Sequence, residues 1–532
     1  MRTMLALRAA PARALLAALL AAPCQGAPAA GLALAEAVRL ALAQNPAIQV
    51  QQAQIEVAAG QRQQASGQFD WQLAAAVNYD RTVTPLTDGA IAANGAPFLD
   101  QTRLISAGYQ FGLNKQLRNG VQLGSTVSVL STDDNTPTAL HGQQHLARLD
   151  VALTVPLLRG RGAASVAAAE DAASLNEQAE HYLLRDRAAQ TVYATLQAYW
   201  TYRARVELEQ VALSAARRSE ALLDSVRKLV AAAERPRADL VLLQADLADK
   251  QAAAQAATLA RNDARVALGR LLGLEPAAIA LLAEPEQALP AAALAGGPLP
   301  EQAEALAAGA LRQRPDVQAL ALQLEAAQRL ARAAHDELRP QLDLQLGLAS
   351  AQASEAGARY GFLRDGGRGQ SDPSLFARLN FQFPPQNNRA QGQLRERAAL
   401  AAQLAARALD LRHEVGSSVA QALQTLARTG AQMQNESSAL ALYEQAVSQE
   451  IVKQQNGIAT LIDVINVEAR YQGARVNQLQ LQLAYANAIA SLRLASGTLL
   501  PGAADRFTLD PAELAGFGPL ASPSSSFRPT PP

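Results

Sequence analysis

The chain has 532 residues, and its 47 lysines and arginines balance its 47 aspartates and glutamates, so the formal net charge is zero. This balance argues against a nucleic-acid-binding protein, which normally carries a basic excess. Hydrophobic residues make up 49% of the chain, but aromatic residues make up only 4%. Because much of the hydrophobic share is alanine and leucine, the composition favours long, closely packed helices.

The N-terminus is typical of an export signal. Three arginines lie among the first 13 residues, the short apolar run ALLAALLAA follows at 14–22, and small residues come next. We predict a signal peptide over 1–29, in preference to a cytosolic helix, and no transmembrane helix, because no apolar run reaches about 20 residues. Cys24, the only cysteine, is either removed with the signal or carries the lipid of a lipoprotein, and Pro23 before it favours removal.

Two pairs of segments indicate an internal duplication. Residues 35–66 resemble residues 303–334, and Pro46 aligns with Pro315 at a constant offset of 269. A repeat of this kind implies that one structural unit occurs twice.

The second pair of similar segments lies closer to the end of each copy. Residues 238–273 resemble residues 462–497, and Asp239 aligns with Asp463 at an offset of 224. We therefore predict two copies of one helix–strand–helix plan, joined by a Pro/Ala-rich linker. In chain order, the predicted parts are the signal peptide (1–29), the first repeat (30–283), the linker (284–300), the second repeat (301–500) and a disordered tail (501–532).

Six segments alternate strictly between apolar and polar residues, which predicts strands with one apolar and one polar face. Four lie within about 70–155 in the first copy, and two lie within about 341–384 in the second. They are 71–79, 104–114, 121–129, 149–155, 342–348 and 375–383. A soluble sandwich and a membrane barrel both satisfy this pattern.

Two very long helices flank the predicted strands. Residues 163–233 and 389–455 contain no strong helix breaker, and each would form a helix about 100 Å long. No compact domain needs such helices, so they favour a barrel continued by a helical tube. The long polar segments 82–100 and 357–372 are predicted to be external loops, and LRNG (117–120) is predicted to be a tight turn.

The sequence contains no motif that indicates an enzyme. His141 and His145 are four residues apart, but the glutamate of a zinc-protease motif is missing and the segment is predicted to be a solvated loop. RGRG (159–162) lacks the Lys-Ser/Thr ending of a phosphate-binding loop, so we predict an elbow between strand and helix, with its arginines near lipid headgroups. We expect no catalytic residue, no cofactor and no bound metal.

These features together resemble the outer-membrane factor (TolC-like) family of Gram-negative tripartite efflux and type I secretion systems. The resemblance covers about residues 32–500. It is carried by ALAQNPAI, LRQRPDV, LTVPLLRGRG and QNGIATLIDVINVEARYQ, in that order.

The resemblance implies an α+β membrane protein that acts as a homotrimer. The three copies would build one β-barrel among the outer-membrane lipids, and their helices would continue it as a coiled-coil barrel through the periplasm. This exit duct would dock onto a periplasmic adaptor (membrane fusion) protein and an inner-membrane transporter, and it would pass cargo outward without catalysis. Family members usually contribute four strands per chain, so the additional predicted hairpin either widens the barrel or lies apart from it. The alternative is a periplasmic coiled-coil adaptor or scaffold, which does not account for six strands.

Asp463 stands out because it lies between apolar residues at the start of a predicted helix. It belongs to a narrow polar stripe, with a seam of apolar residues beside it that begins at Ile462. The stripe consists of Asp463, Asn466, Arg470, Gly473 and Asn477. It faces either a lumen or the outer solvent.

The resemblance places this stripe at the periplasmic constriction of the duct. Asp463 and Asn466 match the two positions that form constriction rings in the family, so one ring here would be amide. Three copies of Asp463 would favour cations, and their repulsion would make protonation easier. Asp239 matches a gate aspartate, but Ala459 stands where its arginine partner is expected. We therefore expect other basic groups, Arg237 and Lys453, to serve as gate contacts.

Overall fold

The structure of the protein is a computed structural model, and it describes residues 31–87, 101–135, 143–233, 236–291, 300–355, 373–456 and 458–500. The helices are α1 (Leu34–Gln44), α2 (Pro46–Ser66), α3 (Ala163–Val166), α4 (Ala168–Ala231), α5 (Ala238–Leu271), α6 (Pro276–Ala280), α7 (Pro300–Gln313), α8 (Pro315–Asp336), α9 (Asn388–Gln455) and α10 (Leu461–Ala495). The strands are β1 (Gln72–Pro85), β2 (Gln101–Gln116), β3 (Gln122–Asp134), β4 (Gln143–Pro156), β5 (Gln341–Glu355) and β6 (Ser374–Gln382). The predicted signal peptide with Cys24, the predicted loop 357–372 and the C-terminal tail lie outside the described residues.

The chain divides into two compact units, which alternate along the sequence. The helical unit consists of residues 1–46, 189–303 and 420–532, and the sheet unit consists of residues 47–188 and 304–419. The sheet unit contains all the strands, and the helical unit contains α1, α5, α6, α10 and the later parts of α4 and α9.

All six predicted strands occur, and they form one antiparallel sheet in the order β1-β2-β3-β4-β5-β6. β1 to β5 extend beyond their predicted segments at one or both ends, whereas β6 has its predicted length and is shifted by one residue. The predicted loop 82–100 is wrong at its start, because β1 continues to Pro85 in register with Gln101 of β2. The predicted tight turn at 117–120 is confirmed, since Gly120 donates its N–H to the Leu117 carbonyl at 2.9 Å.

The pairing places the apolar and polar residues on separate faces of the sheet. On one face Tyr109 pairs with Val77 and Val129, and on the other Ser128 pairs with Gln110 and Arg148. We call these the apolar face and the polar face. The apolar face carries Leu73, Val77, Tyr109, Phe111, Val127, Val129, Leu149, Val151, Leu346, Leu348 and Leu375, and the polar face carries Gln110, Asn114, Thr126, Ser128, Arg148, Asp150, Thr154 and Gln345.

Aromatic residues of α4 lie at the centre of the core of the helical unit. Tyr199 and Trp200 are almost fully buried, with their ring centroids 5.3 Å apart in an edge-to-face arrangement. The Tyr199 hydroxyl donates a hydrogen bond to the Leu32 carbonyl at 2.8 Å, which satisfies the polar end of a buried ring. Around them pack apolar residues of α1, α4, α5 and α10, among them Leu34, Val38, Leu196, Leu268 and Leu479.

The two long helices are close to their predictions. The 64 residues of α4 and the 68 residues of α9 each correspond to about 100 Å of helix. The helix predicted to run unbroken from residue 163 is interrupted once, at Ala167, whose φ of −90° and ψ of 4° separate α3 from α4.

An acidic cluster in the sheet unit involves Asp186 of α4. At the start of α8, Arg314 donates hydrogen bonds of 3.1 and 2.7 Å to the two carboxylate oxygens of Asp316. Burial raises the pKa of Asp186 to about 6, and the nearby Asp316 carboxylate adds to the increase. Folding therefore favours the protonated form of Asp186.

We expect Asp186→Asn to stabilise the protein relative to the natural chain, by an amount that grows between pH 4 and about 6. Because the pKa of Asp186 is raised, the native state of the natural chain holds this proton more tightly than the unfolded state does. The natural chain therefore loses stability as pH rises from the ordinary pKa of 3.8 through about 6, whereas the variant has no such proton to lose. The measurement is the difference in melting temperature between variant and natural chain from pH 4 to 8. Asp249→Asn, at an exposed position of α5, is the control. A difference that is constant with pH would contradict the assignment.

Candidate functional site

Asp463 lies in the first turn of α10 and caps that helix. Its carboxylate accepts hydrogen bonds from the Thr460 backbone N–H at 2.9 Å and from the Thr460 hydroxyl at 2.6 Å. In return, the Asp463 backbone N–H donates to the Thr460 hydroxyl oxygen at 3.3 Å. This is a capping box, with aspartate in place of the more usual glutamate or glutamine. The carboxylate is therefore explained locally, because helix N-termini favour negative charge.

The same contacts determine the protonation of Asp463 within one chain. The hydrogen bond from the Thr460 side chain, followed by that from its backbone, lowers the pKa of Asp463, and the positive charge of Lys453 lowers it further. This effect acts against the repulsion expected between three copies of the residue. Within a single chain Asp463 is an exposed, readily ionised carboxylate.

The polar stripe that begins at Asp463 is accessible along its length. Its five members, Asp463, Asn466, Arg470, Gly473 and Asn477, are all exposed.

The prediction for the adjacent apolar seam is partly wrong. Ile462 is 56% exposed, whereas Leu461 and Val464 are 4% and 5% exposed and form the buried side of the first turn. The buried side therefore begins one residue earlier than the spacing predicted. Leu461 packs against Leu223 and Leu243 of α4 and α5, which accounts for the difference.

The turn between α9 and α10 positions Lys453. The backbone N–H groups of Ile458 and Ala459 both donate to the Lys453 carbonyl, at 2.9 and 3.4 Å. The Lys453 ammonium pairs with Glu450, one turn earlier on α9, at 3.0 Å. Lys453 thus lowers the pKa of Asp463 through its positive charge. The ion pair of Lys453 is with Glu450 of the same helix, α9.

The turn between α4 and α5 positions Arg237 and Asp239. Arg237 is the N-cap residue of α5, and Asp239 lies in the first turn, where its backbone N–H donates to the Pro236 carbonyl at 3.2 Å. Ala233, at the end of α4, has a φ of 59°, a conformation that glycine adopts more easily.

A small apolar core underlies both turns. Leu223 and Val226 of α4, Leu243 of α5 and Leu461 of α10 are each at most 4% exposed and pack together. Because residues from α4, α5 and α10 meet there, the two turns belong to one end of the helical unit.

Two polar contacts near this end were not predicted from the sequence. Arg218 of α4 donates to the carboxylate of Glu468 on α10. Lys250 of α5 donates to the side-chain oxygen of Gln472 on α10 at 2.7 Å. The i, i+4 spacing of Glu468 and Gln472 shows that they share a face of α10, but periodicity does not reveal partners more than 200 residues away.

Of the two histidines considered as metal ligands, one lies in the described part of the chain. His141 lies outside the described residues, but the predicted solvated loop is wrong at His145, which is buried on β4. Within the described ranges, no three His, Cys, Asp or Glu side chains are grouped as metal ligands. Nor does any helix in those ranges have the length and hydrophobicity needed to cross a membrane.

Comparison with known proteins gives a family-model match over part of the chain and a shared fold over most of it. Residues 306–498 match the family model described as "Outer membrane efflux protein". None of the curated proteins with which the chain was compared matches it.

Several solved outer-membrane channels share the fold of the chain. The outer-membrane channel OprN is 16% identical over 87% of this chain and 90% of its own, with a TM-score of 0.65. The Campylobacter jejuni CmeC outer membrane channel is 15% identical over 90% and 88% of the two chains, with a TM-score of 0.63. The Vibrio cholerae outer membrane protein VceC is 16% identical over 87% and 96%, with a TM-score of 0.63.

The predicted resemblance to the outer-membrane factor family is confirmed. It is carried by sequence over residues 306–498 and by fold over most of the chain. The protein is a mostly helical chain with one antiparallel sheet, in the arrangement of the outer-membrane efflux channels, and the proteins that it resembles are channels.

Proposed function

We propose that the protein is an outer-membrane exit duct that passes substrates from the periplasmic side to the cell exterior. The observation that carries this proposal is the sheet with one apolar and one polar face, combined with helices of about 100 Å, in a chain that has an outer-membrane channel fold. An apolar face toward lipid and a polar face toward water is the arrangement of a membrane barrel. The duct is passive, without catalysis.

The duct is a homotrimer in the outer membrane, continued by a helical coiled-coil barrel into the periplasm. A periplasmic adaptor and an inner-membrane transporter would supply the cargo, by analogy with the efflux family whose model matches residues 306–498. A periplasmic adaptor or scaffold is the second candidate, but it gives no role to a two-faced sheet of six strands.

The duplicated organisation, with repeats at 30–283 and 301–500 joined by 284–300, is also part of the proposal. Equivalent positions have equivalent roles: Asp239 and Asp463 lie in the first turns of α5 and α10. Gly273 and Gly497 follow those helices with φ of 72° and 73°. Such matched helix starts and ends favour two copies of one plan.

Oligomeric state and membrane location test the duct directly. Chemical cross-linking of detergent-solubilised protein is expected to give a three-chain species, and the protein is expected to fractionate with the outer membrane. A stable monomer that does not partition into membranes would overturn the proposal and favour the adaptor alternative.

We expect Asp463→Asn to reduce the cation selectivity of single channels in a lipid bilayer and to weaken block by multivalent cations. In the proposed duct, Asp463 and Asn466 line the periplasmic constriction, so the substitution removes the charge of the Asp463 ring, and the Asn466 ring supplies none. Reversal potentials in a salt gradient measure the effect.

Two matched variants separate the charge of Asp463 from its capping role. Asp463→Glu keeps the charge, and Thr460→Ala removes the capping hydroxyl while it keeps the carboxylate. Both should retain most of the selectivity. If Asp463→Asn keeps full selectivity and block, the polar stripe faces the outer solvent and its role is helix capping.

A further inference from the structure

The sheet ends in two long edges, β1 and β6, which have no second neighbour among the described strands. β1 is exposed along all 14 residues, and Val77 and Leu375 on the two edges are 85% and 81% exposed. Open edges of this kind invite pairing with another chain. Because the sheet is antiparallel with an even number of strands, β1 and β6 run in opposite directions. The β6 of one copy therefore fits antiparallel beside the β1 of the next, and repetition closes a ring.

The register shows that the strands are tilted as in a barrel wall. Following the paired residues from strand to strand, Gln72 at the start of β1 lies level with Phe376 of β6. The end of β6, at Gln382, is six residues further along that strand. Six residues correspond to about 20 Å along a strand, over five steps of about 4.8 Å between strands. The resulting tilt is roughly 40°, within the range of about 35–45° found in barrels.

The β2–β3 hairpin is an integral part of this wall. Both of its strands are paired along their lengths with neighbours in the sheet, so the register runs through them without a break. Its turn is also fixed to the chain that leads into α4. The Gly162 N–H donates to the Asn119 carbonyl at 3.0 Å, and Arg118 donates two hydrogen bonds, of 2.6 and 2.8 Å, to Glu170.

Small residues lie between the polar side chains of the polar face. They are Ala74, Gly112, Gly124, Ala152, Gly347 and Ala349, of which Gly347 is covered by the Phe376 ring. If this face lines a lumen, the side chains at the other five positions occupy little of the opening.

We propose that three copies close a single barrel of eighteen strands, wider than four strands per chain would allow. This inference rests on the proposed trimeric duct. At the observed tilt, eighteen strands give a diameter of roughly 36 Å at the backbone, against roughly 24 Å for twelve. Allowing for side chains, the opening is about twice the 10–12 Å diameter of an α-helix. The barrel of the proposed duct is therefore wide enough for a polypeptide chain. Any selection of cargo by size takes place in the helical part of the duct.

Cysteine labelling of the hairpin tests its place in the wall. Ser128→Cys and Val127→Cys are neighbours on β3 with similar exposure in one chain, but they lie on the polar and the apolar face. We expect a membrane-impermeant thiol reagent to label Ser128→Cys roughly tenfold faster than Val127→Cys in liposomes, because lipid shields the apolar face. The natural chain, with Cys24 alone, is the blank. Equal labelling of the two variants would place the hairpin outside the wall.

Deletion of residues 101–134 tests the width of the barrel. It removes β2 and β3 and connects the end of β1 to the start of β4 through residues 86–100 and 135–142. We expect a 1 kDa maleimide-polyethylene glycol to label Thr154→Cys, on the polar face of β4, roughly tenfold more slowly in the deletion variant than in the full chain. A small maleimide should label both equally, which shows that the cysteine itself remains accessible in the deletion variant. Equal labelling by the large reagent would refute the wider barrel. If the shortened chain does not fold, the comparison of the separate variants Ser128→Cys and Val127→Cys tests whether the hairpin belongs to the wall.

Native mass spectrometry separates a failure of this inference from a failure of the proposed function. A mass other than three chains would overturn the duct, and the eighteen-stranded barrel with it. A trimer in which Ser128→Cys and Val127→Cys label equally would leave the duct intact and remove only the wider barrel.

Discussion

Replacing Arg261 with alanine should lower the free energy of unfolding by about 3–5 kcal/mol, because it leaves a buried carboxylate without its partner. The Arg261 guanidinium lies 2.9 Å from the Glu209 carboxylate, whose side chain is only 7% exposed. Arg261 also lies 3.7 Å from Glu284, so it neutralises two acids in the helical unit. Denaturant or thermal unfolding of the detergent-solubilised protein measures the loss.

The expected loss of stability comes from the buried, unpaired charge of Glu209 and not from the absence of an arginine. The double variant Arg261→Met with Glu209→Leu should therefore recover most of the stability, since apolar replacement of a buried pair is often neutral. Arg227→Ala is the matched control, because Arg227 pairs with Asp224 on the surface of α4 and both side chains are more than half exposed. Its effect should stay below about 1 kcal/mol. If Arg261→Ala and Arg227→Ala cost the same, the Glu209 pair is not a buried one.

The sheet and the long helices were predictable because each leaves a signal within its own stretch of sequence. Alternation identified all six strands, and the absence of breakers located α9 to within one residue of its start and at its end, Gln455. What alternation did not reveal was the order of the strands, since pairing joins segments such as β4 and β5 that lie far apart in the sequence. The position of the additional hairpin within the sheet therefore required the structure.

The local role of Asp463 could have been found from the sequence. Thr460 stands three residues before it, at the start of a helix, which is the spacing of a capping box. The polar stripe and the capping box both include Asp463, so the spacing along the helix face alone does not reveal the cap at the helix end. The error at Ile462 has a different origin, because Leu461 and Val464 repeat with the same spacing, and only packing against α4 and α5 determines which set is buried.

The gate contacts were the least predictable part of the site. Arg237 and Lys453 were chosen because they are basic and close in sequence to the matched aspartates. Their role as gate contacts stays a prediction, and within one chain the structure joins α10 to α4 and α5 through Glu468 and Gln472, whose partners lie more than 200 residues away. Charge and proximity along the chain carry no information about such partners.

In the proposed duct, replacing both Arg218 and Lys250 with alanine should raise the fraction of time that single channels are open. Arg218 connects α4 to Glu468 of α10, and Lys250 connects α5 to Gln472 of α10. Each contact is partly exposed and is expected to contribute about 0.5–1 kcal/mol. Together they hold the start of α10 against the other two helices by about 1–2 kcal/mol. Because 1.4 kcal/mol corresponds to a factor of ten, the ratio of open to closed channels should increase roughly 5–30-fold.

Single-channel recording in a planar bilayer measures that ratio, and each single variant should give part of the increase. Arg227→Ala is again the control, because it removes an arginine from the same helix but only breaks an ion pair within α4. Arg218→Lys, which retains a charge that reaches toward Glu468, should stay close to the natural chain. An open fraction that is unchanged in the double variant, or raised equally by Arg227→Ala, would mean that these contacts stabilise the helical unit without holding a gate closed.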